Sequence, residues 1–215
     1  MKNIIILLAV FLITKTSSAQ KAVVTVDKIP CKEDFSGYYL EITLKKGDRI
    51  WIRKTKDYHM KSLLDEELTN EDRLEVVRAL KPCFTDYAQS CKKVSRYYIN
   101  SFQIEYENMP VPTSRNYNIA IDAMFALNRL FCPSYLHHIS TYPVLFNSKT
   151  LKEANNDPKL IKQMADRYLK LFQTKEKSAS NKNPFITRDD LNYLNRGTIK
   201  WWDMMIVKKG IREDI

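Results

Sequence analysis

Glycine is scarce in this chain: only Gly37, Gly47, Gly197 and Gly210 occur among 215 residues. Phosphate-binding loops, dinucleotide fingerprints and the turns that flank nucleophilic serines all need closely spaced glycines. Nucleotide hydrolysis and nicotinamide chemistry are therefore not expected, and no cofactor is predicted.

Metal-ligand patterns are also missing. No two cysteines are separated by two residues, and the three histidines are His59 and the adjacent pair His137 and His138. Neighbouring residues point about 100° apart on a helix, so this pair is poorly placed to share one metal, and none is predicted. One of the pair can still act as a general base beside Asp122. The alternative function is therefore an exported hydrolase that uses carboxylates or His137 and His138 near the central helix, with Asp122, His137 and His138 as its predicted catalytic residues.

Apolar runs long enough to span a membrane are absent. Lys2, the apolar run from Ile4 to Ile13 and the small residues up to Ala19 have the pattern of a secretory signal. That run covers about half of the roughly 20 residues that a membrane-spanning helix needs. We expect residues 1–19 to be removed and residues 20–215 to form one exported domain without a transmembrane segment, either periplasmic or secreted.

Four cysteines, an even number, lie in the predicted mature chain. In an exported protein this predicts two disulfides. A helical pattern over 84–100 would separate Cys83 and Cys91 by about 12 Å along the axis, too far to bridge. Cys31 and Cys132 are then each expected to bond to that helix.

The segment from Arg115 to Pro133 predicts the central core helix, because apolar residues occur on nearly every side of it. Its few polar residues include Asn118, Asp122 and Arg129, which fall roughly on one stripe.

Capping signals predict three more helices. Thr69 precedes a helix that stops at Pro82, Asp157-Pro158 opens an amphipathic helix, and Thr187 opens another.

The C-terminal part is predicted to hold one further helix. Thr198 is its expected cap, and Trp201 lies on it. The lysine-rich segment 173–183 lacks periodicity and is predicted to be a loop.

A β-hairpin is predicted between Tyr38 and Arg53, around a turn at residues 45–48. One face is predicted to be aliphatic and to pack on the helices, and residues 22–26 are a candidate third strand.

The other face of this hairpin is predicted to carry Arg49, Trp51 and Arg53. A tryptophan between two arginines can stack on a sugar or base while the cations hold an anionic group. The competing interpretation is that a helix covers Trp51. We predict these three residues as the ligand-binding site.

Together these patterns predict an α+β fold: a mainly helical single domain, an N-terminal antiparallel hairpin or small sheet, and two disulfides. The chain has a formal net charge of +10. Export makes nucleic acid an improbable partner, so we expect a non-catalytic binding protein for an anionic or carbohydrate ligand of the cell envelope. Anionic polysaccharide, lipid headgroups and acidic protein surfaces fit that compartment. The oligomeric state is left open.

Overall fold

The computed structural model describes residues 21–32, 36–57, 60–93, 116–132, 143–150, 152–178 and 183–201. Within them the fold is α+β, with four α-helices and eight strands in two sheets. The helices are α1 (Asn70–Leu80), α2 (Ile119–Phe131), α3 (Pro158–Lys177) and α4 (Arg188–Leu194), and a 3-10 helix covers Lys81–Thr85. The strands are β1 (Val23–Pro30), β2 (Tyr38–Lys46), β3 (Arg49–Lys54), β4 (Gln89–Lys93), β5 (Asn116–Asn118), β6 (Leu145–Asn147), β7 (Lys152–Glu153) and β8 (Ile199–Trp201).

The predicted architecture of a mainly helical domain with one hairpin or small sheet is wrong. Strands β1 to β5 form one sheet, in which β2 runs antiparallel to both β1 and β3, and β4 pairs with β2 in parallel and with β5 antiparallel. Strands β7, β6 and β8 form a second, antiparallel sheet. Several of these strands have only two or three residues, which is too short for alternation to be recognised in a sequence.

Helix α2 lies at the centre of the core, as predicted. Every residue of α2 except Arg129 is buried. Asn118 starts the helix, since its side-chain oxygen accepts a hydrogen bond from the amide of Ile121 at 2.9 Å. Side chains from both sheets and from α1, α3 and α4 join the same apolar cluster around it.

The hairpin strands are confirmed, but the predicted division of their faces is wrong. Leu44 lies opposite Trp51, so Trp51 shares the core-facing side of β2. Ile52 points outward instead and is 48% exposed. The reason is the two-residue loop Gly47-Asp48, because an even loop length pairs even-numbered residues of β2 with odd-numbered residues of β3.

The predicted helix over 84–100 is wrong where the structure describes it, since β4 follows the 3-10 helix there. The amides of Ile119 and Ala120, at the start of α2, donate to the carbonyl oxygens of Ala88 and Asp86 at 2.9 and 2.8 Å. These bonds satisfy amides that the first turn of a helix leaves open, and they hold the segment before β4 extended.

The helix predicted after Thr198 is a strand as far as Trp201. Ile199 and Trp201 are buried while Lys200 between them is half-buried, which is the two-residue period of a strand. The predicted loop from residue 173 also differs, because α3 continues to Lys177.

One disulfide is present in the described residues, not two. Cys31 is bonded to Cys91, with their Cα atoms 6.2 Å apart. Cys83 is a half-buried free thiol and Cys132 a buried one. Burial raises the pKa of Cys132 to about 11. Cys132 ends α2 inside the core, where a cysteine acts as a small apolar residue, so the even number of cysteines did not imply that all are paired.

Candidate functional site

The predicted binding residues of the hairpin lie together, but acidic groups of the same chain engage them. The indole nitrogen of Trp51 donates to one carboxylate oxygen of Glu66 at 2.7 Å, and the guanidinium of Arg53 donates to the other at 2.6 Å. Arg53 also donates to the carbonyl oxygens of Lys61 and Ser62. Trp51 and Arg53 therefore help to hold the segment that follows β3 against the sheet.

Arg49 is the most exposed of the three cationic and aromatic side chains, and it forms an ion pair with Glu67. A cleft of about 420 Å³, which we call the hairpin cleft, lies beside it. Its lining contains three carboxylates and one arginine: Arg49, Ile50, Trp51, Asp65, Glu66 and Glu67. These carboxylates would repel an anionic ligand, so the geometry of the hairpin cleft does not favour an anionic ligand. The binding role of Arg49, Trp51 and Arg53 stays a prediction.

The predicted catalytic residue Asp122 lies inside the core. It is in the first turn of α2, is only 3% exposed, and accepts a hydrogen bond from the buried hydroxyl of Ser90. His137 and His138 lie outside the described residues, as does His59. A hydrolase that uses Asp122 with these histidines stays a prediction.

A second cleft, of about 600 Å³, lies where β4 and β5 meet the start of α3. We call it the tyrosine-amide cleft, after the side chains that line it: Tyr87, Gln89, Tyr117, Asn118, Asn156, Pro158 and Ile161. None of these lining side chains is charged. The lining contains two phenol rings and three amides, of which Tyr87, Gln89 and Asn156 are exposed, whereas Tyr117 and Asn118 are buried.

Two buried asparagines fix one wall of this cleft. Asn118 uses its oxygen to cap α2 and its nitrogen to donate to the backbone oxygen of Asn155 at 2.9 Å. The side chain of Asn155 accepts from the amide of Leu145 at 2.8 Å and donates to the oxygen of Pro143. Asn155 is fully buried, so these bonds satisfy backbone groups in a region that is closed to bulk water.

Tyr87 is an exposed aromatic residue in the lining of this cleft. It is 42% exposed, and its hydroxyl lies 3.5 Å from the backbone oxygen of Pro158 at the start of α3. The hydroxyl end of this exposed ring therefore lies beside the start of α3. Gln89, two residues later, is oriented by a 2.9 Å bond from its amide nitrogen to the oxygen of Ser36.

The turn before Tyr87 is held by Asp86. One carboxylate oxygen of Asp86 accepts from the amide of Ala88 at 2.9 Å, and the other accepts from the ammonium of Lys28 at 2.7 Å. Burial alone would raise the pKa of Asp86, but these bonds outweigh burial and lower the pKa. The carboxylate therefore stays ionised near neutral pH and keeps the turn in place.

Sequence reasoning missed this cleft because the helix predicted over 84–100 places Tyr87 on its apolar face. The alternation of a strand is visible in the structure, whereas the residue types from Tyr87 to Ser90 do not alternate between apolar and polar. Tyr87 and Gln89 are exposed while Ala88 and Ser90 are more buried, which is the alternation of a strand entering a sheet. A strand assignment there would have placed both exposed side chains on one side.

The arrangement suits binding of a polar, uncharged ring. An aromatic face packs against C–H groups, and side-chain amides both donate and accept hydrogen bonds, as sugar hydroxyls require.

Within the described ranges, no group of three or more histidine, cysteine, aspartate or glutamate side chains is placed to hold a metal ion. In that same part of the chain, no helix is both long and apolar enough to cross a membrane. The chain matches no protein-family model, no curated protein and no solved structure.

Proposed function

We propose that this protein is an exported, non-catalytic binding protein that holds a neutral carbohydrate in the tyrosine-amide cleft. The observation that carries the proposal is the lining of that cleft, where tyrosine rings and amides occur together without a charged side chain. A charged ligand would lose hydration there without gaining an opposite charge from the lining.

The size of the cleft supports a small ring or a short oligosaccharide. Its volume of about 600 Å³ lies within the roughly 300–1,000 Å³ of small-molecule sites. The wall around Asn118 and Asn155 is built before any ligand arrives, because both side chains already bond to the surrounding chain. A fixed wall reduces the entropy that binding would cost.

Export is supported by two independent features. Residues 1–19 have the pattern of a secretory signal, and a disulfide such as that between Cys31 and Cys91 persists in oxidising compartments. A protein in such a compartment meets the carbohydrates of the cell envelope.

The deciding experiment compares neutral and acidic glycans on one array, with the purified mature chain and three variants. Tyr87→Ala removes the exposed ring, whereas Tyr87→Phe keeps the ring and loses only the hydroxyl. Arg49→Ala/Trp51→Ala disables the hairpin cleft instead. Each glycan that binds is then measured by calorimetry as a free oligosaccharide.

We expect the wild-type protein to bind neutral glycans. Tyr87→Ala should weaken binding up to about tenfold, since ring stacking contributes roughly 0.5–1.5 kcal/mol. Tyr87→Phe and the hairpin variant should bind within about twofold of the wild type. Binding of acidic glycans only, lost in the hairpin variant and kept in Tyr87→Ala, would move the site to the hairpin cleft. Absence of binding to every glycan would refute a carbohydrate ligand.

A further inference from the structure

The N-terminal sheet carries exposed apolar side chains on the face that points away from the core. Val23 of β1 is 64% exposed, and Ile50 and Ile52 of β3 are 57% and 48% exposed. Leu40 and Leu44 of β2 lie on the other face and are buried. Exposed apolar residues clustered on one face of a sheet are typical of an interaction site.

Backbone pairing arranges the outward residues of β1, β2 and β3 in three rows, one residue from each strand per row. We call these residues the outer sheet face: Val23, Lys45 and Ile50 in the first row, Thr25, Thr43 and Ile52 in the second, and Asp27, Glu41 and Lys54 in the third. The apolar side chains occupy the first two rows.

Charges of opposite sign lie at the two ends of the outer sheet face. Lys45 is exposed in the first row, and Asp27 is exposed in the third row. Neither has an ion-pair partner among the residues that the structure describes, whereas Glu41 is paired with Lys54 at 3.1 Å. Lys45 and Glu41 lie on the same strand, four positions apart, so the two ends are separated by about 13 Å.

We propose that a second copy of this chain docks on the outer sheet face to form a twofold-symmetric dimer. A twofold axis that runs across the strands through the second row would set Ile52 against Ile52. The same axis would lay each strand over its own copy and the first row over the third row, which sets Lys45 over Glu41 of the other copy, with Asp27 one strand away. Lys45 of each copy then meets a carboxylate of the other at both ends, whereas an acidic or a basic partner would match only one end.

The outer sheet face is small, which determines how strong this dimer is. Three strands at about 4.8 Å spacing and five residues at about 3.4 Å rise cover less than the roughly 800 Å² per partner of a stable interface. We therefore expect reversible association with a dissociation constant of about 10–100 µM. Two sheets packed face to face lie about 10 Å apart, which leaves room for the isoleucines between them.

The experiment is sedimentation velocity of the mature chain from about 5 to 500 µM, a range chosen around that constant. The wild-type protein should shift from monomer to dimer, and Ile52→Asp should stay monomeric throughout. Leu169→Asp is the matched control, because Leu169 is an apolar residue on α3 that is 38% exposed and lies outside this face. It should dimerise like the wild type.

A charge exchange tests the arrangement of the two copies. Lys45→Glu places like charges together and should weaken association at least tenfold, and adding Asp27→Lys should restore it. Circular dichroism of each variant separates loss of association from loss of folding. A wild-type protein that stays monomeric at the highest concentration would overturn the proposal. So would a dimer that Ile52→Asp leaves intact, or one that the exchange does not rescue.

Discussion

The two clefts differ in how their polar groups are satisfied. In the hairpin cleft, the charged side chains bond to each other: Glu66 accepts from both Trp51 and Arg53, and Glu67 pairs with Arg49. In the tyrosine-amide cleft, buried asparagine side chains bond to backbone groups, while the aromatic ring of Tyr87 stays exposed. A charged cluster in a sequence is therefore a weak guide to a binding site, because its counter-charges can come from a later segment.

The largest loss of stability is expected from substitution of Asn155, which lies behind the wall of the tyrosine-amide cleft. Asn155→Ala removes the side-chain bonds to Leu145 and Pro143 and leaves buried backbone groups unsatisfied. The free energy of unfolding should fall by about 3 kcal/mol. Urea denaturation measures this change.

The neighbouring Asn156→Ala is the control for that variant. Asn156 is exposed and lines the cleft. Its substitution should cost less than about 1 kcal/mol of stability while weakening glycan binding. Equal losses of stability in the two variants would contradict the framework role of Asn155.

The second prediction tests whether the hydrogen bonds of Glu66 in the hairpin cleft stabilise the fold. Glu66→Ala leaves the indole of Trp51 and the guanidinium of Arg53 without their shared carboxylate, and the side chain of Arg53 is only 11% exposed. We expect a loss of about 2 kcal/mol in the free energy of unfolding, with glycan binding unchanged.

Glu67→Ala is the matched control for Glu66→Ala. It removes an ion pair with Arg49 in which both side chains are largely exposed, so its denaturation midpoint should match that of the wild type. If Glu66→Ala were equally neutral, Trp51 and Arg53 would be available to a ligand and the hairpin prediction would regain support.

The third prediction concerns the stability of the fold at low pH, because the charged side chain of Asp72 links the hairpin to α1. Asp72 accepts from the backbone amides of Ala22 and Thr69. It also accepts from the ammonium of Lys46, so it joins the start of β1, the end of β2 and the start of α1. Burial alone would raise the pKa of Asp72, but these bonds outweigh burial and lower the pKa. The carboxylate of Asp72 is therefore protonated less readily in the folded protein than in the unfolded chain.

Because the folded pKa is the lower one, Asp72 stabilises the fold above its unfolded pKa of about 3.9. That contribution is lost as the pH falls through the folded pKa. Asp72→Asn should cost about 1.5 kcal/mol at about pH 6 and progressively less below about pH 4. Urea denaturation from about pH 6 down to about pH 2 measures this loss. Asp166→Asn is the control, because the side chain of Asp166 is 55% exposed and its substitution should cost little stability. A cost that stays constant with pH would contradict the role of the charge.

The sequence predicted those elements whose signals are local. The caps Thr69, Asp157 and Thr187 each start a helix at the predicted place, and α2 is buried as its composition indicated. These signals lie in neighbouring residues, and no tertiary contact overrides them at these positions. The signal at Thr198 was equally local, but pairing with β6 makes the segment after it a strand.

Elements that depend on distant partners were not predicted. Strand β8 pairs with β6, where Leu145 lies opposite Trp201, and the segment before β4 is extended because the start of α2 bonds to it. The tyrosine-amide cleft combines residues from three separate segments, so no single stretch of sequence contains it. The hairpin was local and its strands were found, but the identity of the buried face depended on the loop length.

The smallest expected effect is that of salt on glycan binding, and it separates the two clefts most directly. Salt shortens the range of electrostatic attraction, from about 14 Å at about 0.05 M to about 4 Å at about 0.5 M. A neutral ligand among tyrosines and amides should therefore keep its affinity within about twofold over that range. A ligand held by Arg49 would lose affinity steeply, and Arg49→Ala would abolish the salt dependence. Calorimetry at the two salt concentrations measures the affinity of the wild-type protein and of Arg49→Ala. A steep loss of affinity that vanishes in Arg49→Ala would assign the ligand to the hairpin cleft, because Arg49 lines that cleft and not the other.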